Sequence, residues 1–358
     1  SLLAGVSRNG STLLFNGMNL QVVSGSGATN ATVNGLGNVI IGYNETIMPF
    51  LSIGVPASDK SGSHNLVVGR GLNYSSYGAL VAGLNNISSG QYASVTGGER
   101  NRATGNFSSV TGGSLNLASG NSSSVGGGLD NAASGAFSMV ISGFRNSASG
   151  NSSTVSGGSQ NTASAPFSSV SGGQDNTASG TLSSVSGGQN NTASGSVASV
   201  SGGQTNSASG SQSSVSGGQR NTASGSVASV SGGLSNESTG RQTSVSGGIG
   251  NAASGAFSMV GGGSQNIAGG QYSSISGGAI NKTLADNSSV SGGQNNTASG
   301  ISSSVSGGIN NTASQISSSV SGGNLNVASG LGASVSGGFK RTAPNAFDWR
   351  AGGLLEDQ

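Results

Sequence analysis

The chain has 358 residues, long enough for two ordinary domains, but 68 of them are Gly, about 19% against roughly 7% in an average protein. Charged residues make up 6% against about 25%, aromatics 4%, and the net charge is +2. Cys is absent, which excludes disulfides and thiolate chemistry. The scattered Arg and Lys residues form no phosphate-tracking patch, so no nucleic-acid partner is expected. No run of about 20 apolar residues exists to insert into a membrane. The chain opens at Ser1 without a signal-peptide pattern and is expected to be a mature chain or an excised fragment.

Residues 1–36 are comparatively apolar and read as an N-terminal cap. Within them Ser11 to Val23 predicts a β-hairpin turning at Asn16-Gly17. Residues 37–92 read as irregular coils with predicted anchors Val39, Leu66 and Leu80. A loop insertion at about 43–63 carries Pro49, Phe50 and Pro56.

Residues 93–340 are one repeat. Stepping by fifteen from Val95 meets an apolar anchor seventeen times, always Val except Ile275. Val95, Val110, Val125, Val140, Val155, Val170, Val185 and Val200 open this core column. Three residues after each anchor stands Gly98 and its equivalents. Six after stands Asn, in Asn101, Asn116, Asn131, Asn146, Asn161, Asn176 and onward to Asn326, with Arg341 in the last copy. Eight after is Ala, except Ser238 and Thr283.

The unit S-S-V-S-G-G-x-x-N-T-A-S-G-x-x keeps its register without insertion or deletion. A chain whose coils stack has reason to do so, and a disordered one has none. Fifteen residues suit one β-coil of two short strands and two turns. Alternation places Val95 and Gly97 inward, and Asn101, Ala103 and Gly105 on one face. The fold class expected is therefore all-β, a parallel β-roll or solenoid of fifteen-residue coils. The Asn column admits two readings, a buried amide ladder or a turn residue in left-handed backbone. Residues 341–358 read as a C-terminal cap, with Phe347 and Trp349 supplying bulk to seal an open edge.

Each coil orders fifteen residues at about 1–2 kcal/mol of backbone entropy apiece. It offers one Val and one Ala, worth roughly 2–4 kcal/mol if buried. So thin a core favours several chains packed together.

The coils resemble the head repeats of trimeric autotransporter adhesins, the YadA-like family, whose unit runs roughly N-S-V-A-I-G-x-x-S-x-A-x-G-x-x. His64-Asn65-Leu66-Val67-Val68-Gly69 and Gly37 to Gly42 match its first half. Ser94, Val95, Gly98, Ala103 and Gly105 keep the pattern in the first regular coil, and the likeness covers about residues 37–340. Gly97 stands where the family has Ile, and Asn101 where it has Ser. The resemblance implies a left-handed parallel β-roll, a homotrimer, and display on a bacterial outer surface.

No catalytic, cofactor or metal site is expected. His64 is the only His, and Asp130, Asp175 and Asp286 are isolated turn positions. No G-K-S/T follows the Gly-Gly pairs, so they are not phosphate loops. Paired carboxylates for glycoside cleavage are not in register. The function expected is a non-enzymatic extracellular structural or adhesive fibre whose partners are itself and an unknown surface, matrix or cell receptor. Phe107, Phe137, Phe144, Phe167, Phe257 and Tyr272 are candidate contacts, or pack along the trimer. Two alternatives are an ice-binding solenoid, suggested by the outward Thr162, Thr177, Thr192, Thr222, Thr297 and Thr312, and a phage-type tail fibre or spike.

Overall fold

The computed structural model describes residues 5–48 and 57–351; Pro49, Phe50 and Pro56 lie outside them. Among the described residues all regular structure is β, without a helix. The chain divides into two units, Ser1–Phe137 and Ser138–Gln358.

The first unit begins with an antiparallel hairpin, Val6–Asn9 against Thr12–Phe15. The predicted hairpin is therefore displaced, because the turn lies at Gly10-Ser11 rather than Asn16-Gly17. Gly10 alone takes positive φ (59°) there, the arrangement of a two-residue turn with Gly first. Asn9-Gly10 and Asn16-Gly17 are each turn signals, but only Asn9-Gly10 lies between two strands. Gln21 to Val23 pair with nothing regular.

Parallel coils follow. Val39–Ile41, Leu66–Arg70, Leu80–Leu84, Ser94–Val95, Ser109–Val110 and Ser124–Val125 carry the first sheet. Asn73–Tyr74, Ile87–Ser88, Arg102–Ala103, Leu117–Ala118 and Ala132–Ala133 carry the second. The core of the early coils is Val67, Leu72, Tyr74, Ala79 and Val81.

This corrects the anchors. Val81 pairs with Val95 and Val67 with Val81, so the buried column runs through Val67 and Val81. Leu66 is 42% exposed and Val67 only 2%. Val39, Leu66 and Leu80 thus stand one residue out of step, on the opposite face of the strand. A one-residue slip inverts every side chain, and the unbroken apolar run Leu66-Val67-Val68 offers no alternation to fix the register. Within the expected insertion, Lys60 Nζ donates to the carbonyls of Asn44 and Glu45. Partial burial pushes this ammonium below its ordinary range, with Glu45 opposing.

The second unit repeats one coil. Its first sheet runs from Met139–Val140 to Trp349–Arg350 and its second from Ser147–Ala148 to Thr342–Ala343, every strand paired parallel to its equivalent. Val170 meets Val185, Ala178 meets Ala193, and so on. A third ladder of single bridges joins positions such as Ser159, Gln174 and Gln189. Because identical residues stack on identical residues, any column acceptable once is acceptable in every coil.

Two turns in each coil hold a residue in the left-handed region, a non-glycine residue everywhere except at Gly250 and Gly332. One lies five residues after the anchor, as in Gln160 and Asn190, and one twelve after, as in Phe167 and Val197. For L-residues this costs roughly 1–2 kcal/mol per position. Gly98, Gly203 and their equivalents are left-handed too, at φ 79° and 85°. A Cβ on Gly203 would lie 2.1 Å from the Gly218 carbonyl oxygen.

The Gly97 column departs from the expectation that it faces the core. The strand ends at Val95, so alternation stops before Gly97. A Cβ on Gly112, Gly127 or Gly172 would meet nothing within 4 Å.

Candidate functional site

The anchors Val95, Val110, Val125, Val140, Val155, Val170, Val185 and Val200 are all buried, as are the Ala residues eight positions on. Between these columns stands the Asn column. Asn101, Asn116, Asn131, Asn146, Asn161 and Asn176 are fully buried. None has positive φ; that geometry belongs to the residue before each, Arg100 and Leu115 for example. Of the two readings, the ladder describes the structure.

Its partners are mostly backbone groups. The left-handed residue turns two consecutive N–H groups toward the preceding coil. Gln160 N–H donates to the Phe144 carbonyl (2.8 Å). The next, Asn161 N–H, donates to Asn146 Oδ1 (3.0 Å). Asn161 Nδ2 then donates to the Gly157 carbonyl of its own coil (2.9 Å) and the Gly173 carbonyl of the following one (2.9 Å). One amide thereby satisfies three backbone groups that burial would otherwise leave costly. The column also begins earlier than the repeat. Asn86 Oδ1 accepts from Asn101 N–H (2.7 Å), although its coil is shorter than fifteen residues. At the far end Arg341 N–H donates to Asn326 Oδ1 (2.9 Å).

A second buried polar column precedes each anchor by two residues. Ser108, Ser123, Ser153 and Ser213 are buried with hydroxyls that have no hydrogen-bond partner in this structure. Ala93, Ala198, Ala228 and Ala333 occupy the same column. Other hydroxyls of the column bond to the neighbouring turn, Ser168 Oγ donating to the Ala165 carbonyl (2.7 Å) and Ser318 Oγ to the Gln315 carbonyl (2.7 Å), so the column requires small size throughout and uses a hydroxyl in some coils.

The outer columns hold the remaining candidates. Thr162, Thr177 and Thr192 pair in register on the second sheet, as do Thr297 and Thr312. Glu237 and Lys282 interrupt that column. Phe107, Phe137, Phe167 and Tyr272 are exposed at the left-handed turn twelve residues after the anchors, and Tyr92 at the equivalent turn eleven after Val81. Their rings stack along the coils, Tyr92 on Phe107 at 5.4 Å and Phe257 on Tyr272 at 4.8 Å. Arg241 lies 5.7 Å over Phe257. Phe144 sits at the opposite turn, under Arg145 at 4.9 Å.

Phe347 and Trp349, expected as a cap, are 78% and 64% exposed. They continue the coil path, since Trp349 pairs with Ser334 and Phe347 N–H reaches the Leu331 carbonyl (2.7 Å). The coil register therefore runs on through Arg350, past residue 340.

Ionisable groups do not converge. Among the described residues no three His, Cys, Asp or Glu side chains lie close enough to hold a metal. Asp130 and Asp175 occupy left-handed turns, and Asp286 accepts the Gln271 N–H (3.0 Å). His64 Nε2 accepts from Ser24 N–H (3.1 Å), tying the N-terminal segment to the first coils. No described helix is long and apolar enough to cross a membrane. No protein-family model matches the chain, and no curated protein does. The geometry establishes a parallel β-solenoid whose chemistry is spread along columns rather than gathered at one point.

Proposed function

We propose that the chain is a non-enzymatic structural and adhesive element of an extracellular fibre, the trimeric β-roll head or shaft of a bacterial surface protein. The observation that carries this reading is the in-register outer columns. One side chain recurs per coil, about 4.8 Å apart, which suits repeated contact along an extended partner better than action on a single small substrate. The likeness to YadA-like head repeats supports the bacterial surface, and the thin core supports self-association.

Light scattering on the purified chain tests the assembly. A mass near three times the 34.0 kDa of one chain is expected, and a single-chain mass counts against it. Retention of the assembled protein on cells, extracellular matrix or abiotic surfaces tests adhesion, and failure on all three removes that half. The paired Thr column favours a second reading, ice binding, which thermal hysteresis with ice shaping would support.

A further inference from the structure

Three glycine columns run through the second unit; that of Gly203 is unbroken and left-handed, while Ala165, Ala285, Gln315 and Asn345 interrupt that of Gly195. Gly203 and its equivalents are left-handed, with no room for a Cβ. Gly195 and its equivalents press on the next coil, a Cβ there lying 2.0 Å from the Gly210 carbonyl oxygen. The third column, two residues after each anchor, is different. A Cβ on Gly172, Gly187, Gly202, Gly217 or Gly232 would meet nothing within 4 Å, and none of the five is left-handed. Ser142 occupies the same column, exposed, so the backbone accepts a side chain there. Yet Gly fills it in thirteen successive coils, from Gly157 to Gly337, while the position two residues later varies among Gln, Leu, Ile, Ser, Ala, Asn and Phe. Gly247, Gly262 and Gly337 have φ of 155°, 159° and 150°, but in the other ten coils no positive φ calls for glycine, and a glycine that its own chain does not need marks a place where another backbone comes close.

We propose that this Gly column, with the outward Ser columns beside it (Ser184 and Ser186, for example), is the face on which a second copy of the chain packs. This rests on the self-association proposed above and assigns it a surface. From Met139 to Ser336 the face carries no charged residue, and Met139, Ile141 and Met259 stand exposed within it. The absence of charge and the exposed Met residues are what an interface core has, while the many Ser are not and serve here by being small. Fourteen coils with three such positions each give about 42, more than the 20–30 residues per side that a stable interface needs. Only a body with the same coil spacing can keep contact along the whole column, and a second copy has that spacing. The exposed aromatic turns are left free for other partners.

The test uses the absence of native Cys. Gly217→Cys is compared with Thr205→Cys, which sits at an exposed left-handed turn. Both are labelled with a maleimide in the native protein and again in denaturant. At least ten-fold slower native labelling at 217, equalised by denaturant, is expected; equal native rates overturn the proposal. Gly217→Arg should also lower the light-scattering mass to one chain while Thr205→Arg leaves it unchanged. Gly217→Ala, with an unchanged circular dichroism spectrum, shows that the coil itself tolerates a side chain at this position. An assembled wild type whose Gly217→Arg form stays assembled refutes this face but leaves the fibre reading standing. A wild type of single-chain mass refutes both.

Discussion

Truncating one rung of the Asn ladder tests the account of how the coils hold together. Asn191 is fully buried. Its Oδ1 accepts the Asn206 N–H at 2.9 Å, and its Nδ2 donates to the Gly187 and Gly203 carbonyls, each at 2.9 Å. Asn191→Ala strands a buried N–H, at about 1–3 kcal/mol, and deletes two further bonds at about 0.5–1.5 kcal/mol each. The expected loss is about 2–6 kcal/mol. The control is the preceding residue. Asn190→Ala changes an exposed left-handed turn, keeps the backbone bond from its own N–H to the Gln174 carbonyl, and should cost about 1 kcal/mol. Urea unfolding gives both values. Amide exchange adds location, because solenoid stability is a sum of neighbouring-coil terms and the faster exchange should centre on Asn206. Equal losses in the two variants, or undiminished protection at Asn206, would refute the ladder as the source of cohesion.

Three further expectations use the same assay. Gly203→Ala should destabilise severely, because it forces a Cβ into the Gly218 carbonyl at left-handed φ, whereas Gly202→Ala in the single chain should change stability by less than about 0.5 kcal/mol. Ser213→Ala should be neutral or stabilising, since its buried hydroxyl lacks a partner and Ala198 and Ala228 already fill the coils on either side. Val197→Asn should gain about 0.5–1 kcal/mol, because Val197 is exposed at φ 58°, where a β-branched residue is strained and Asn is tolerated. A loss in either of the last two would show that those side chains make contacts that the single chain does not display.

The fold class was legible because a period of fifteen with no slippage constrains the chain more than composition does. The anchors Val95 to Val335 and the Ala column could be placed from alternation alone. Legibility failed where alternation failed. Leu66-Val67-Val68 is apolar at every position, so neither face was marked and the reading slipped by one residue. Gly97 was carried inward by extending a strand that ends two residues sooner. The left-handed turns left no trace in residue type. Val197 and Ile280 are poor candidates for positive φ, and they are held there by coils above and below rather than by local preference. The candidate surfaces were harder still. Which glycines a fold needs is a steric question, and Gly97 and Gly98 look alike until a Cβ is placed on each.

The Asn ladder also gives the stack a direction of inheritance. Each Asn hands an acceptor to the coil after it and receives one from the coil before, so no coil is complete by itself. Arg341 takes the acceptor offered by Asn326, but its side chain has none to pass on. In the vocabulary of polymers, Asn is a propagating unit and Arg341 a terminator. The Asn ladder ends there, while the coil path itself continues through Arg350. Whole cassettes can be inserted or removed while each neighbour still meets an equivalent coil.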